Sequence, residues 1–200
     1  MEKKLMILIA LFMLMFGAQA AVADCFIGGT ITASSNPDPL GPTWMYTMVL
    51  TWDTGNNYSL SHANLLMDVA AGTCLCEDFL DALSWDDPVG SSDGYPDGCT
   101  VNYQGFLECH GDPSIPEVEG ILLKFEPIED NCEPGPTGTG TFVFYSDLPP
   151  APINEEILTG VDKHALQYCF GFLSGDFPAM LCDPVGNEGA SWGNLKGLFR

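Results

Sequence analysis

The strongest regularity in this chain is alternation. Between residues 43 and 52, Trp44, Tyr46, Met48, Leu50 and Trp52 fall on one side and Thr47 and Thr51 on the other, the period-two pattern of a strand with one buried face. A turn cluster, DTGNN at 53–57, ends the run. The pattern resumes at Tyr58, with Ala63, Leu65, Met67 and Val69 on the next alternating face, so the two segments are expected to form a hairpin. Further strands are expected at 26–33, 101–107, 120–126, 139–145 and 165–172, and Gly105 suggests a bulge or bend in one of them. A short helix is predicted over 77–83, where Phe79, Leu80 and Leu83 sit at helical spacing. About seven short strands, long acidic loops and Gly/Pro connectors predict an all-β fold, an antiparallel β-sandwich, with a β-barrel as the competing architecture.

The first residues break this pattern. Lys3 and Lys4 precede an unbroken apolar run from Leu5 to Phe16, too short to span a bilayer, and AQA at 18–20 and AVA at 21–23 offer small-x-small cleavage sites. Residues 1–23 therefore read as a cleaved signal peptide; an uncleaved anchor, which needs about 20 apolar residues, is the plainer rival. Asp24 does not fit the small residue expected before a lipid-modified Cys25. With no second long apolar run, the mature chain is expected to be soluble and extracytoplasmic, secreted or at the cell surface. It divides into a sandwich domain over 24–186 and a C-terminal tail over 187–200.

Cysteine usage agrees with export. Cys25, Cys74, Cys76, Cys99, Cys109, Cys132, Cys169 and Cys182 all lie beyond the cut, and an even set in an oxidising compartment reads as disulfides. Eight cysteines allow about 105 complete pairings; proximity favours Cys99 with Cys109 and Cys169 with Cys182. Zinc is the rival use, but no CxxC occurs and CLC at 74–76 is too tight for a zinc knuckle.

Charge narrows the partners. The chain carries 27 acidic and six basic residues, of which only Glu2, Lys3 and Lys4 precede residue 24, leaving a mature formal charge of about −22. That sign excludes nucleic acid and anionic membranes, whose recognition needs a basic surface. Divalent cations, basic partners or simple solubility remain.

Candidate chemistry is sparse. GSSDG at 90–94 matches the GxSxG nucleophile elbow, but DDP before it and YPDG after it supply neither the strand nor the helix that the motif requires. His62, His110 and His164 are the only natural general bases, and none has a nucleophile partner nearby in sequence. The segment 86–98, DDPVGSSDGYPDG, concentrates carboxylates among turn residues; calcium is the cofactor it would suit, through Asp87, Asp93 and Asp97. Its irregular spacing and missing closing glutamate make solvated surface the competing reading, since Asp and Gly also dominate ordinary turns. Asn57-Tyr58-Ser59 is a glycosylation sequon if the source is eukaryotic.

LSH at 60–62 after a Trp-bearing strand and turn, GILLKFE at 120–126, and TFVFY at 141–145 leading into the 163–182 segment together resemble a loosely defined group of β-sandwich modules of bacterial secreted and surface proteins. The resemblance covers residues 40–183 and departs from the pattern in its extra cysteines and the acidic insert from Cys74 to Cys99. It implies a non-catalytic extracellular module, with no catalytic residues to carry over. The ending SWGNLKGLFR at 191–200 also looks like a short terminal tail of some bacterial exported proteins, and sorting, docking or anchoring competes there with a frayed or capping terminus.

The expected function is thus a secreted or cell-surface structural or binding module whose partner is an extracellular protein or glycan. One alternative is a calcium-dependent carbohydrate-binding module that stacks sugars on Trp44, Trp52 and Trp85. The other is an extracellular polymer hydrolase that uses paired carboxylates.

Overall fold

The computed structural model describes residues 25–67, 76, 87–96, 98–128, 131–164 and 167–178. Among the described residues nine strands are formed: β1 (Phe26–Ser35), β2 (Trp44–Asp53), β3 (Leu60–Leu66), β4 (Val89–Asp93), β5 (Thr100–Glu108), β6 (Leu122–Pro127), β7 (Thr137–Ser146), β8 (Pro150–Asp162) and β9 (Tyr168–Pro178). They close into one barrel in the order β1-β2-β7-β4-β5-β6-β3-β8-β9. All neighbours are antiparallel except β1 and β9, which close the wall through a short parallel pairing of Gly29 with Leu173 to Ile31 with Gly175.

The barrel corrects the expected sandwich of about seven strands. Both architectures present the same inward alternation, so periodicity does not separate them. What separates them is a pair of strands that the pattern hides. β4 is only five residues, VGSSD, and its inward positions are Gly90 and Ser92 rather than large apolar groups. β8 begins with Pro150 and Pro152, which suit a strand that there pairs on one side only, with β9. Inserted between β7 and β5 and between β3 and β9, these two strands complete the ring of the barrel. Closure also needs close backbone approach. A side chain at Gly171 or Gly175 would strike the main chain of Ile27 or Ile31 in β1, and Gly175 has a φ of 129°.

The expected hairpin between the second and third strands is likewise corrected. β2 pairs with β1 and β7, whereas β3 pairs with β6 and β8. The turn cluster crosses the barrel end instead, where Asn56 donates to Asp162 of β8 at 2.7 Å. Gly105 causes no bulge, as β5 stays in register with both β4 and β6; it makes room for Pro88 and Phe125. Register shifts fall instead between Leu60 and His62 in β3 and between Glu156 and Leu158 in β8. The predicted helix over 77–83 and Val69 lie outside the described residues.

The interior is filled. Tyr46, Met48, Leu50 and Trp52 of β2 share one buried cluster with Phe142 and Phe144 of the adjacent β7, Tyr103 of β5 and Phe125 of β6, and Phe142 is edge-on to both Tyr103 and Phe125. Large apolar residues of the described strands thus face mainly inward, while Phe26, Val49, Val89, Phe170 and Phe172 remain exposed outside.

Disulfides join Cys25 to Cys169, Cys76 to Cys109 and Cys99 to Cys132. The proximity pairings fail for a geometric reason. Cys99 and Cys109 flank the nine residues of β5, about 30 Å apart along an extended strand, far beyond disulfide reach. Cys169 is taken by Cys25, across the β1–β9 seam. Cys74 and Cys182 lie outside the described residues. These disulfides are compatible with an extracytoplasmic location.

Candidate functional site

Cross-strand registers set outward side chains into rows. One row runs Phe106, Lys124, Asn64, Thr159 and Phe170 across β5, β6, β3, β8 and β9. Lys124, Asn64 and Thr159 point away from the core yet are buried. Segment 109–121 lies over them as a strap. Its ends are drawn together by a bond from the Gly111 amide to the Gly120 carbonyl at 3.0 Å, and Cys109 is tied to Cys76. Ile115, Leu122 and Val161 are buried but belong to no part of the barrel core, a second small apolar layer at this wall. At the far side the strap's Glu117 accepts a bond from the Tyr168 hydroxyl, which raises the Tyr168 pKa.

The strap is pinned by one carboxylate. Asp112, 5 % exposed, accepts from His62 Nε2 at 2.8 Å and Lys124 Nζ at 3.1 Å, and its second oxygen accepts from the Ser114 hydroxyl at 2.6 Å and the Ser114 amide at 2.8 Å. Burial alone would raise the Asp112 pKa, but the Ser114 bonds, His62 and Lys124 outweigh it and hold the carboxyl well below the usual range. Burial likewise opposes the Lys124 ammonium; Glu126, 2.8 Å away, and Asp112 overcome it and push the pKa up. His62 goes the other way. Burial and then Lys124 lower its pKa, and Asp112 and Glu126 offset this only in part.

Ser61, His62 and Asp112 invite comparison with a Ser–His–Asp relay, since the Ser61 hydroxyl lies 3.2 Å from His62 Nδ1. The electrostatics run against that chemistry. A relay base must hold a proton in the transition state, and its carboxylate stabilises the imidazolium. Here the carboxylate is shared with Lys124, and burial beside that ammonium disfavours the imidazolium. Ser114 is no better placed, because it crowds the same Nε2 at 3.3 Å that Asp112 occupies. The cluster ties the strap to β3 and β6 as a latch would, through Asp112 with His62 and Lys124.

An open cleft of about 560 Å³ adjoins it. Ser61, Gln104, Glu126, Glu133 and Lys163 supply its polar groups, and Pro127, Ile128 and Pro134 its apolar wall. Lys163 and Glu133 form an ion pair at 2.8 Å. The register shift beside Ser61 explains its turn toward the cleft, as bulges re-aim side chains.

The residues singled out from sequence are scattered. Asp87, exposed two residues before β4, and Asp93, exposed at the end of β4, are separated by the strand Val89–Asp93, about 15 Å of extended chain, which keeps them from sharing one ion. Asp97 lies outside the described residues, and among those described no three metal-ligating side chains converge. Trp52 is buried in the barrel with Nε1 donating to the Gly135 carbonyl at 3.2 Å, so it offers no face for stacking; Trp44 is half-buried, and Trp85 lies outside the described residues. Ser92 of GSSDG points into the barrel and bonds the Tyr103 hydroxyl at 3.0 Å, away from every histidine. His110 is exposed, and His164 packs edge-on to Tyr58.

Sequence reasoning missed Asp112, Ser114, Lys124 and Glu126. One signal was present: a lysine inside the apolar run GILLKFE demands a buried partner. No protein-family model matches the chain, and no curated protein or solved structure matches it.

Proposed function

We propose that residues 1–23 export the chain and that the mature protein is a secreted or cell-surface, non-catalytic binding module, with the cleft beside β3 and β6 as its recognition site. The observation that carries this reading is the saturation of the only buried histidine. His62 is committed to the carboxylate that pins the strap, its charged form is disfavoured, and the neighbouring cleft is left with hydrogen-bonding groups on a rigid wall. Such a cavity, with a few fixed polar groups between apolar surfaces, suits ligand capture. The test is thermal stability of the mature protein with hexoses, oligosaccharides, dipeptides and polyamines. One class should raise Tm, and Ser61→Tyr, which fills the cleft, should abolish the rise. No shift with any class, or a shift that survives Ser61→Tyr, would count against the cleft.

A hydrolase reading has one observation in its favour: Glu126 and Glu133 line the same cleft, as the two carboxylates of a glycosidase do. Each is ion-paired with a lysine. Release of reducing ends from a polysaccharide, lost in both Glu126→Gln and Glu133→Gln, would replace the binding reading with this one.

A further inference from the structure

We propose that the opposite wall of the barrel, across β1, β2, β7 and β4, is a second recognition surface and that its ligand is a neutral polysaccharide. Its central outward row is Thr30, Val49, Thr141, Ser91 and Asn102. The row on one side holds Thr32, Thr47, Val143 and Val89, and the row on the other Thr51 and Thr139, whose hydroxyls are 3.2 Å apart. The central row and the row beside it carry no charge, in a chain of formal charge −21; the carboxylates of this wall, Asp93 at the β4 end of the Thr51–Thr139 row and Asp53 after Thr51, lie at one rim. Most are exposed, Val49 at 41 % and Val89 at 51 %.

Aromatic rings close one end of the face. Gly28 is the partner of Thr51, and the Phe26 ring folds over Gly28 into the space a side chain would take, with Cζ 2.8 Å from the position of a Cβ. Phe172 of β9 faces out next to Gly28 across the seam. Phe26 is 51 % and Phe172 55 % exposed, although burying such rings is ordinarily favourable. The surface thus offers ring and methyl groups for the C–H faces of a sugar and hydroxyl and amide groups for its hydroxyls.

Charge decides among occupants. A basic protein would be drawn to the carboxylate-bearing rim at Asp53 and Asp93 and to the rest of the acidic chain, away from the uncharged central rows, and anionic lipid would be repelled by the chain as a whole. A second copy brings equal negative charge. The three rows over four strands also cover only about 20 by 20 Å, roughly 400 Å², about half of what a stable dimer buries per partner. An uncharged, hydroxyl-rich polymer meets neither obstacle.

The experiment is depletion of the purified full chain from solution by insoluble cellulose and by chitin, at low salt and at about 1 M salt. The expected result is binding to at least one polymer that high salt leaves intact. It should weaken at least about tenfold in Val49→Glu and Thr141→Glu, and severalfold in Phe172→Ala. These positions face solvent, and unchanged Tm in each variant confirms that the barrel is retained. Ser61→Tyr should leave binding intact, which separates this face from the cleft. Failure to bind either polymer, binding abolished by salt, binding indifferent to Val49→Glu and Thr141→Glu, or binding lost in Ser61→Tyr would each overturn the proposal. So would a dimer in sedimentation that Val49→Glu breaks, since that assigns the face to a second copy.

Discussion

Two walls of one barrel differ in what covers them. On the β6–β3–β8 side, outward positions carry His62, Asn64, Lys124 and Thr159, all buried beneath a strap held by Asp112. On the β1–β2–β7–β4 side, the corresponding outward positions carry mainly threonine, valine and serine, with Asp53 and Asp93 at one rim, and most stay open to solvent. Both walls obey the same alternation, so the inward pattern does not determine what the outside does. Covering an outward row converts it from surface into a second interior, where each charge needs a partner; leaving it open removes that demand and frees the row for recognition.

The comparison breaks first at Asp112. Asp112→Ala strands the Lys124 ammonium and the His62 ring beneath the strap and should cost about 3–5 kcal/mol, read as a lower denaturant midpoint. Thr30→Ser on the open wall should change stability by no more than about 0.5 kcal/mol. Equal losses at the two sites would erase the distinction. Next in size is the seam. Replacing both Cys25 and Cys169 by serine removes a link across 144 residues and should cost about 2–5 kcal/mol, without altering the Asp112 effect, since the two sites share no partner.

Acid sharpens the comparison further. Because folding lowers the His62 pKa, the unfolded chain takes up the proton first, and stability should be full above the ordinary histidine value of 6.5 and decline as pH falls below it. Asp112, also lowered, contributes stability above its ordinary value of 3.8 that is lost as pH falls further. His62→Gln should flatten the first decline and leave the second, in thermal melts across pH. The smallest effect concerns Asn64 Oδ1 and Thr159 Oγ1, buried cross-strand neighbours that find no hydrogen-bond partner. Thr159→Val should be neutral or stabilising by up to about 1 kcal/mol; a clear loss would mean that the hydroxyl is satisfied by an ordered water.

Much of the wall was legible in the sequence. β2 shows its inward face in Trp44 to Trp52, and six other strands were marked by apolar alternation or aromatic runs. β4 escaped because GSSD reads as turn chemistry when nothing shows that Ser92 has Tyr103 as a partner. β8 escaped because Pro150, Pro152 and three exposed polar residues mask its apolar second half. Those two strands make the difference between an open sandwich and a closed barrel. The latch escaped for another reason: Asp112 lies 50 residues from His62, and only the register of β3 beside β6, with the strap folded back, brings them to 2.8 Å.

The proposed role of Asp112, His62 and Lys124 is to hold the strap rather than to catalyse. It is tested most directly by amide hydrogen exchange over residues 111–120 in the native protein and in Asp112→Asn, beside an assay of ester and polysaccharide hydrolysis. Exchange should accelerate in the strap while the strands of the open wall keep their protection, with no hydrolysis by either protein. An unchanged strap, together with a hydrolytic activity that Asp112→Asn abolishes, would contradict it.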